Sequence, residues 1–161
     1  MIIQKISHTE FKEALEKSPL ECSENELRFI FNALGFDLKE FKQETSRVVF
    51  EVHFRRNYIV KVELVSKLLV FSNRWIVFND KNEAERHNIN FQFNGSTIKL
   101  LNLFLDMFGP CLLNPLQYMP AYIKGWSVCD SPKETKEYWD ILSEVGRAQL
   151  AKDTPKNKLT N

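Results

Sequence analysis

The stretch Arg47–Val65 is dominated by alternation in hydropathy, interrupted by Val49, Arg56, Ile59 and Val65. Val48, Phe50, Val52, Phe54, Tyr58, Val60, Val62 and Leu64 are apolar, at every even position except Arg56. The odd positions carry Arg47, Glu51, His53, Arg55, Lys61 and Glu63. Side chains of a strand alternate between its two faces, so this pattern demands consecutive antiparallel strands with one buried and one wet face. The wet face lies in the most basic part of the chain. Residues 46–79 hold Arg47, Arg55, Arg56, Lys61, Lys67 and Arg74 against Glu51 and Glu63, a sum of +4, whereas residues 1–45 sum to −3. Over the whole chain the charge is only +1, so no global field draws in nucleic acid or a membrane.

A chain of 161 residues is long enough to bury a sizeable core as one domain. Residues 1–151 are read as that domain and 152–161 as a flexible tail, because only Leu159 is apolar there. Thirteen phenylalanines against five glycines imply a core rich in aromatic contacts and little material for a phosphate-cradling loop. The cysteines Cys22, Cys111 and Cys129 are odd in number and form no CxxC pair, which points to a reducing compartment. The start Met1-Ile2-Ile3-Gln4-Lys5 lacks the pattern of a signal peptide, so a cytoplasmic location is expected. The longest apolar region, Ile98–Phe108, is interrupted by Asn102 and Asp106 and is too short to span a bilayer.

Two helices are expected before the sheet. Ser7-His8-Thr9-Glu10 and Ser23-Glu24-Asn25-Glu26 are both capping boxes, each followed by apolar residues at helical spacing. Ser18-Pro19 stops the first helix, and Gly35-Phe36 suits the end of the second. Asp37–Ser46 reads as a polar connection. The first hairpin turns around Arg55-Arg56-Asn57. A second pair, Lys67–Phe71 and Trp75–Phe78, is expected to be joined through Ser72-Asn73-Arg74, with Asp80–Asn88 as a charged loop. Ile89, Phe91 and Phe93 alternate as a further strand. After Asn94-Gly95, Ile98-Lys99-Leu100 could complete a hairpin. The spacing of Ile98, Leu101, Phe104, Leu105 and Phe108 favours a helix instead. Ser131-Pro132-Lys133-Glu134 starts the last helix. The fold class is therefore α+β: two N-terminal helices, a central antiparallel sheet of about five strands, and two C-terminal helices packed mainly on one face.

Sequence motifs for nucleotide, zinc-protease, serine-hydrolase or calcium chemistry are missing, and His8, His53 and His87 have no ligand-spaced neighbours. No cofactor and no metal are expected. His53 is the best acid–base candidate, with Glu51 and Arg55 on the same strand face. Such a set suits a metal-independent nuclease or phosphoester hydrolase. The same residues equally make an ordinary solvated strand face of alternating charge. Arg55 and Arg56 at a hairpin tip suit carboxylates or phosphates, or simply keep the edge from pairing with other chains. Tyr122 and Trp126, in a Pro-interrupted stretch, either anchor an interface or roof the core. Nucleic-acid binding is disfavoured because Phe50, Phe54 and Tyr58 share the apolar face, away from the cations that would flank stacked bases.

No motif identifies a family. In size and element order alone the chain is similar to immunity proteins that neutralise bacterial toxins and to chaperones for secreted effectors, an analogy at the level of fold. Secretion chaperones are strongly acidic, and this chain is not. The expected function is a non-enzymatic protein-binding protein of immunity or inhibitor type. Arg55, Arg56, Lys61 and Arg74 would meet an acidic protein surface, with Tyr122 and Trp126 as anchors and no membrane involved.

Overall fold

The computed structural model describes residues 3–34, 36, 38–54, 58–76, 84–108 and 131–153. Its elements are helices α1 (His8–Glu16) and α2 (Glu24–Ala33), strands β1 (Leu38–Glu44), β2 (Arg47–Phe54), β3 (Tyr58–Val65), β4 (Leu68–Ile76) and β5 (Ala84–Gln92), then helices α3 (Thr97–Phe108) and α4 (Pro132–Asp153). The strands form one antiparallel sheet in chain order, β1-β2-β3-β4-β5. The class is α+β, with two helices before the sheet and helices after it. None of the described helices is long and apolar enough to cross a membrane.

The described chain falls into two compact units, Leu20–Asn94 and the joined segments Met1–Pro19 and Gly95–Asn161. In the first unit the alternation of the sequence becomes a buried face. Val48, Phe50, Val52, Val60, Val62, Leu64, Leu69 and Phe71 are all buried and share one side of the sheet by register. Helix α2 covers the β1–β2 part of this side. Phe31 meets Phe50 edge-on at 5.2 Å between ring centroids. Its start is a complete capping box, with Ser23 N–H donating to Glu26 Oε1 at 2.8 Å and Glu26 N–H to Ser23 Oγ at 3.1 Å. At its end Phe36 N–H donates to the Phe31 carbonyl at 3.1 Å, so the buried Phe36 folds back as expected; Gly35 lies outside the described residues.

Three features of the sheet differ from the sequence reading. Leu38–Glu44 is a strand, not a polar connection. Its period is broken by a bulge between Lys39 and Lys42, where Glu40 takes a positive φ of 53°. The extra residue re-phases the strand, so that Leu38 and Phe41, three apart, both reach the apolar face; Phe41 stacks on Phe50 at 5.9 Å. Second, no hairpin forms at Ser72-Asn73-Arg74. Those residues run through the middle of a continuous β4, opposite Lys61, Val60 and Ile59 on one side and Asn88, His87 and Arg86 on the other. Pairing on both flanks overrides their turn composition. The true turn is Ser66-Lys67, closed by the pair Val65 and Leu68, with Ser66 at φ 54° where a two-residue hairpin accommodates a positive value. Third, Ala84–Asn88 of the expected charged loop belongs to β5. The turn at Arg55-Arg56-Asn57 and residues 77–83 lie outside the described residues, although β2 and β3 pair up to Phe54 and Tyr58 around the former.

The other unit joins three helices. Residues 97–108 are helical, as their spacing indicates, and Ser96 caps α3 by accepting from Lys99 N–H at 3.4 Å. The buried Thr97 donates twice to the Lys17 carbonyl, through its N–H at 2.8 Å and its Oγ1 at 2.9 Å, which ties the start of α3 to the end of α1. Asn102 Nδ2 donates to the Gly146 carbonyl of α4 at 3.2 Å. Tyr138 of α4 packs edge-on to Phe11 at 5.1 Å and to His8 at 4.6 Å, and its hydroxyl donates to the Ile6 carbonyl. The buried stripe of α4 is Thr135, Tyr138, Trp139, Leu142, Val145 and Gly146. The helical spacing of Tyr138, Ile141, Leu142, Val145 and Ala148 in the sequence points to a core stripe; Trp139 joins it and Ala148 is exposed. The tail 154–161 lies outside the described residues.

Candidate functional site

The face of the sheet opposite the apolar core is a grid of polar side chains that the register sets in rows. One row runs Lys39, Glu51, Lys61, Ser72, Asn88 across the five strands. The next runs Lys42, Val49, Glu63, Val70, Asn90, and the third Glu44, Arg47, Val65, Leu68, Gln92. Lys39, Lys42, Glu44, Lys61, Asn88, Asn90 and Gln92 are exposed. Val49 is buried among its longer neighbours. Val65 and Leu68, opposite each other beside the Ser66 turn, are 38% and 43% exposed, an apolar corner on an otherwise polar face.

Within this grid the charges are partly matched. Arg47 lies 3.4 Å from Glu63 and 3.8 Å from Glu44, so it is held by carboxylates. His53 Nε2 is 3.0 Å from Glu51 Oε1, as two side chains on one strand face at i, i+2 should be. Glu51 also stands in register between Lys39 and Lys61. Lys61 has no ion pair among the described residues, and its ammonium is exposed. The net result is milder than the segment charge suggested. Basic residues on the three central strands are interleaved with Glu44, Glu51 and Glu63. Lys39 and Lys42, from a strand the sequence did not announce, add positive charge at the β1 side.

Two of the three residues read as an acid–base set are therefore brought together, Glu51 and His53. Arg55 lies outside the described residues. The pair is a surface pair, with side chains 21% and 38% exposed, and such a pair in water contributes little to stability. A carboxylate bonded to an imidazole can fix its tautomer and support proton transfer. Of the residues read as a partner surface, Lys61 stands exposed at the centre of the grid. Arg74 is opposite Ile59 on β3 and Arg86 on β5 in the backbone register. Arg56, Tyr122 and Trp126 lie outside the described residues. The sequence reading missed Lys39, Lys42 and the Val65/Leu68 corner. The first two needed β1 to be recognised as a strand, and the corner needed the turn to be placed at Ser66. No three His, Cys, Asp or Glu side chains gather as a metal-ligand cluster among the described residues. Comparison with known proteins returns no matching family model, curated protein or solved structure.

Proposed function

We propose that this is a non-enzymatic cytoplasmic protein that binds an acidic surface of another protein, most concretely an immunity or inhibitor protein that neutralises a toxin or enzyme. One observation carries the reading: the outward face of the sheet presents exposed Lys39, Lys42 and Lys61 on rigid, paired strands beside an exposed apolar corner at Val65 and Leu68. A backbone already fixed in a sheet loses little freedom on binding, and an apolar patch flanked by cations suits a partner whose acidic rim surrounds a hydrophobic spot. Arg55 and Arg56, which follow β2 in the sequence, and Arg74 of β4 would add further cations to the contact, with Tyr122 and Trp126 as aromatic anchors. The test is capture of partners from native lysate by the tagged protein, with nuclease treatment and identification of what elutes. A stoichiometric acidic protein, retained after nuclease and lost when Lys61 and Lys39 are both changed to Glu, supports the reading. Retention by that variant removes the sheet face from the interface.

A second reading, a phosphoester hydrolase or metal-independent nuclease, is favoured by the 3.0 Å contact of His53 with Glu51. It predicts cleavage of RNA, DNA or a phosphodiester by the wild type and its loss in His53→Ala. Equal cleavage by both, or by neither, ends it. Nucleic-acid binding without catalysis would show an affinity that falls steeply with salt.

A further inference from the structure

The two edges of the sheet differ, and the difference has a consequence for assembly. Edge strand β1 carries a bulge at Glu40 and exposed Lys39, Lys42 and Glu44, the features that stop an edge from pairing with another chain. Edge strand β5 has no bulge, and its charged residues Glu85 and Arg86 lie in its first half, so Asn88–Gln92 carries no charged guard. Its nine residues pair with β4 in unbroken register from Leu68 opposite Gln92 to Ile76 opposite Ala84. Phe93 N–H donates to the Lys67 carbonyl at 2.7 Å, which sets the phase of the ladder. Phe91 and Ile89 therefore turn their backbone groups to β4, while Asn88, Asn90 and Gln92 turn theirs outward. Nothing among the described residues pairs with that outer side. The apolar face also ends unfinished there: Leu69 and Phe71 on β4 are fully buried, but Ile89 and Phe91 are only half-buried.

We propose that β5 is the dimer interface of this protein, pairing antiparallel with β5 of a second copy about a two-fold axis at Asn90. The strand is complementary to itself in that register. Ile89 faces Phe91 of the second copy, and Phe91 faces its Ile89, so the half-buried apolar pair is covered from both sides. On the polar face Asn90 meets Asn90, and Asn88 meets Gln92, amide groups that both donate and accept. The outward backbone groups of Asn88, Asn90 and Gln92 fall opposite one another, as a hydrogen-bonded antiparallel ladder requires. The pairing is isologous and closes at two copies. Pairing β5 to β1 would instead be heterologous and could run on without end, and the guarded β1 edge opposes it. This inference is independent of the proposed function, since the contact it places on β5 involves neither the lysines nor the His53–Glu51 pair.

Sedimentation velocity on the full chain across a concentration series tests it, together with two variants. The wild type should reach twice the 19.0 kDa chain mass. Asn90→Pro removes an N–H that points away from β4, so it should leave the fold intact by circular dichroism and return the mass to a single chain. Asn90→Cys places two thiols on the axis, where paired Cα atoms are about 5.5 Å apart. That spacing suits a disulfide, so this variant should cross-link quantitatively under mild oxidation beyond whatever the three native cysteines give. A wild type that stays monomeric overturns the proposal. So does a dimer that survives Asn90→Pro in folded form, or an Asn90→Cys variant that fails to cross-link.

Discussion

Replacing Glu40 by glycine should stabilise the protein. Glu40 holds φ 53° inside the β1 bulge. An L-residue in the left-handed region costs roughly 1–2 kcal/mol, because its Cβ crowds the following carbonyl. Glycine escapes that cost but gives the unfolded chain more freedom, worth about 0.5–1 kcal/mol in the opposite direction. The difference leaves Glu40→Gly more stable by roughly 0–1.5 kcal/mol, centred at about 0.75. The side chain is exposed and has no ion pair among the described residues, so little is lost with it. Lys42→Gly, on the same strand at an ordinary φ, should lose about 0.5–1 kcal/mol, so the two variants differ in sign. Glu40→Ala removes the same charge while keeping a Cβ, and should gain nothing. Urea unfolding reads all three, with equal m-values as the condition for comparing midpoints. If Glu40→Gly unfolds earlier than wild type, as Lys42→Gly should, the bulge is not where β1 stores strain, and the re-phasing of Leu38 and Phe41 has another cause.

Two other stability predictions come from the cores of the two units. Tyr138→Phe keeps the ring against Phe11 but leaves the Ile6 carbonyl without its hydroxyl donor, which should cost about 1–3 kcal/mol in the same assay. Phe50→Ala empties a fully buried site between Phe31 and Phe41 and should cost about 3–5 kcal/mol, enough to lower the thermal midpoint by many degrees.

The parts of the fold legible in the sequence are those fixed by local pattern. The alternation from Val48 to Leu64 placed β2 and β3 on the right face because their even positions are all apolar, and only Val49, Ile59 and Val65 put apolar residues on the other face. Ser23 and Glu26 marked the start of α2, and Ser131 and Pro132 that of α4, because a cap is a local hydrogen bond. What stayed hidden depends on pairing across the sheet. In β1 the bulge at Glu40 breaks the period that would have revealed a strand. Ser72-Asn73-Arg74 has turn composition but is held flat by β3 and β5. The polar first half of β5 has no apolar alternation to announce it. The expected number of strands agrees with the structure although two of its members were drawn differently: one expected hairpin became the single β4, and β1 replaced the missing strand. The candidate site divides along the same line. Glu51 and His53 were readable as neighbours because i, i+2 is local. Lys39 comes opposite Glu51 only through the register of β1 on β2.

The most direct measurement is the association rate of this protein with the partner it captures, for the wild type and for a variant carrying Arg55→Glu, Arg56→Glu and Lys61→Glu. If the basic side of the sheet meets an acidic surface, the variant should associate about tenfold or more slowly, with the gap narrowing as salt rises and with a smaller change in dissociation. Association at the wild-type rate in low salt would contradict the account and move the contact off the sheet.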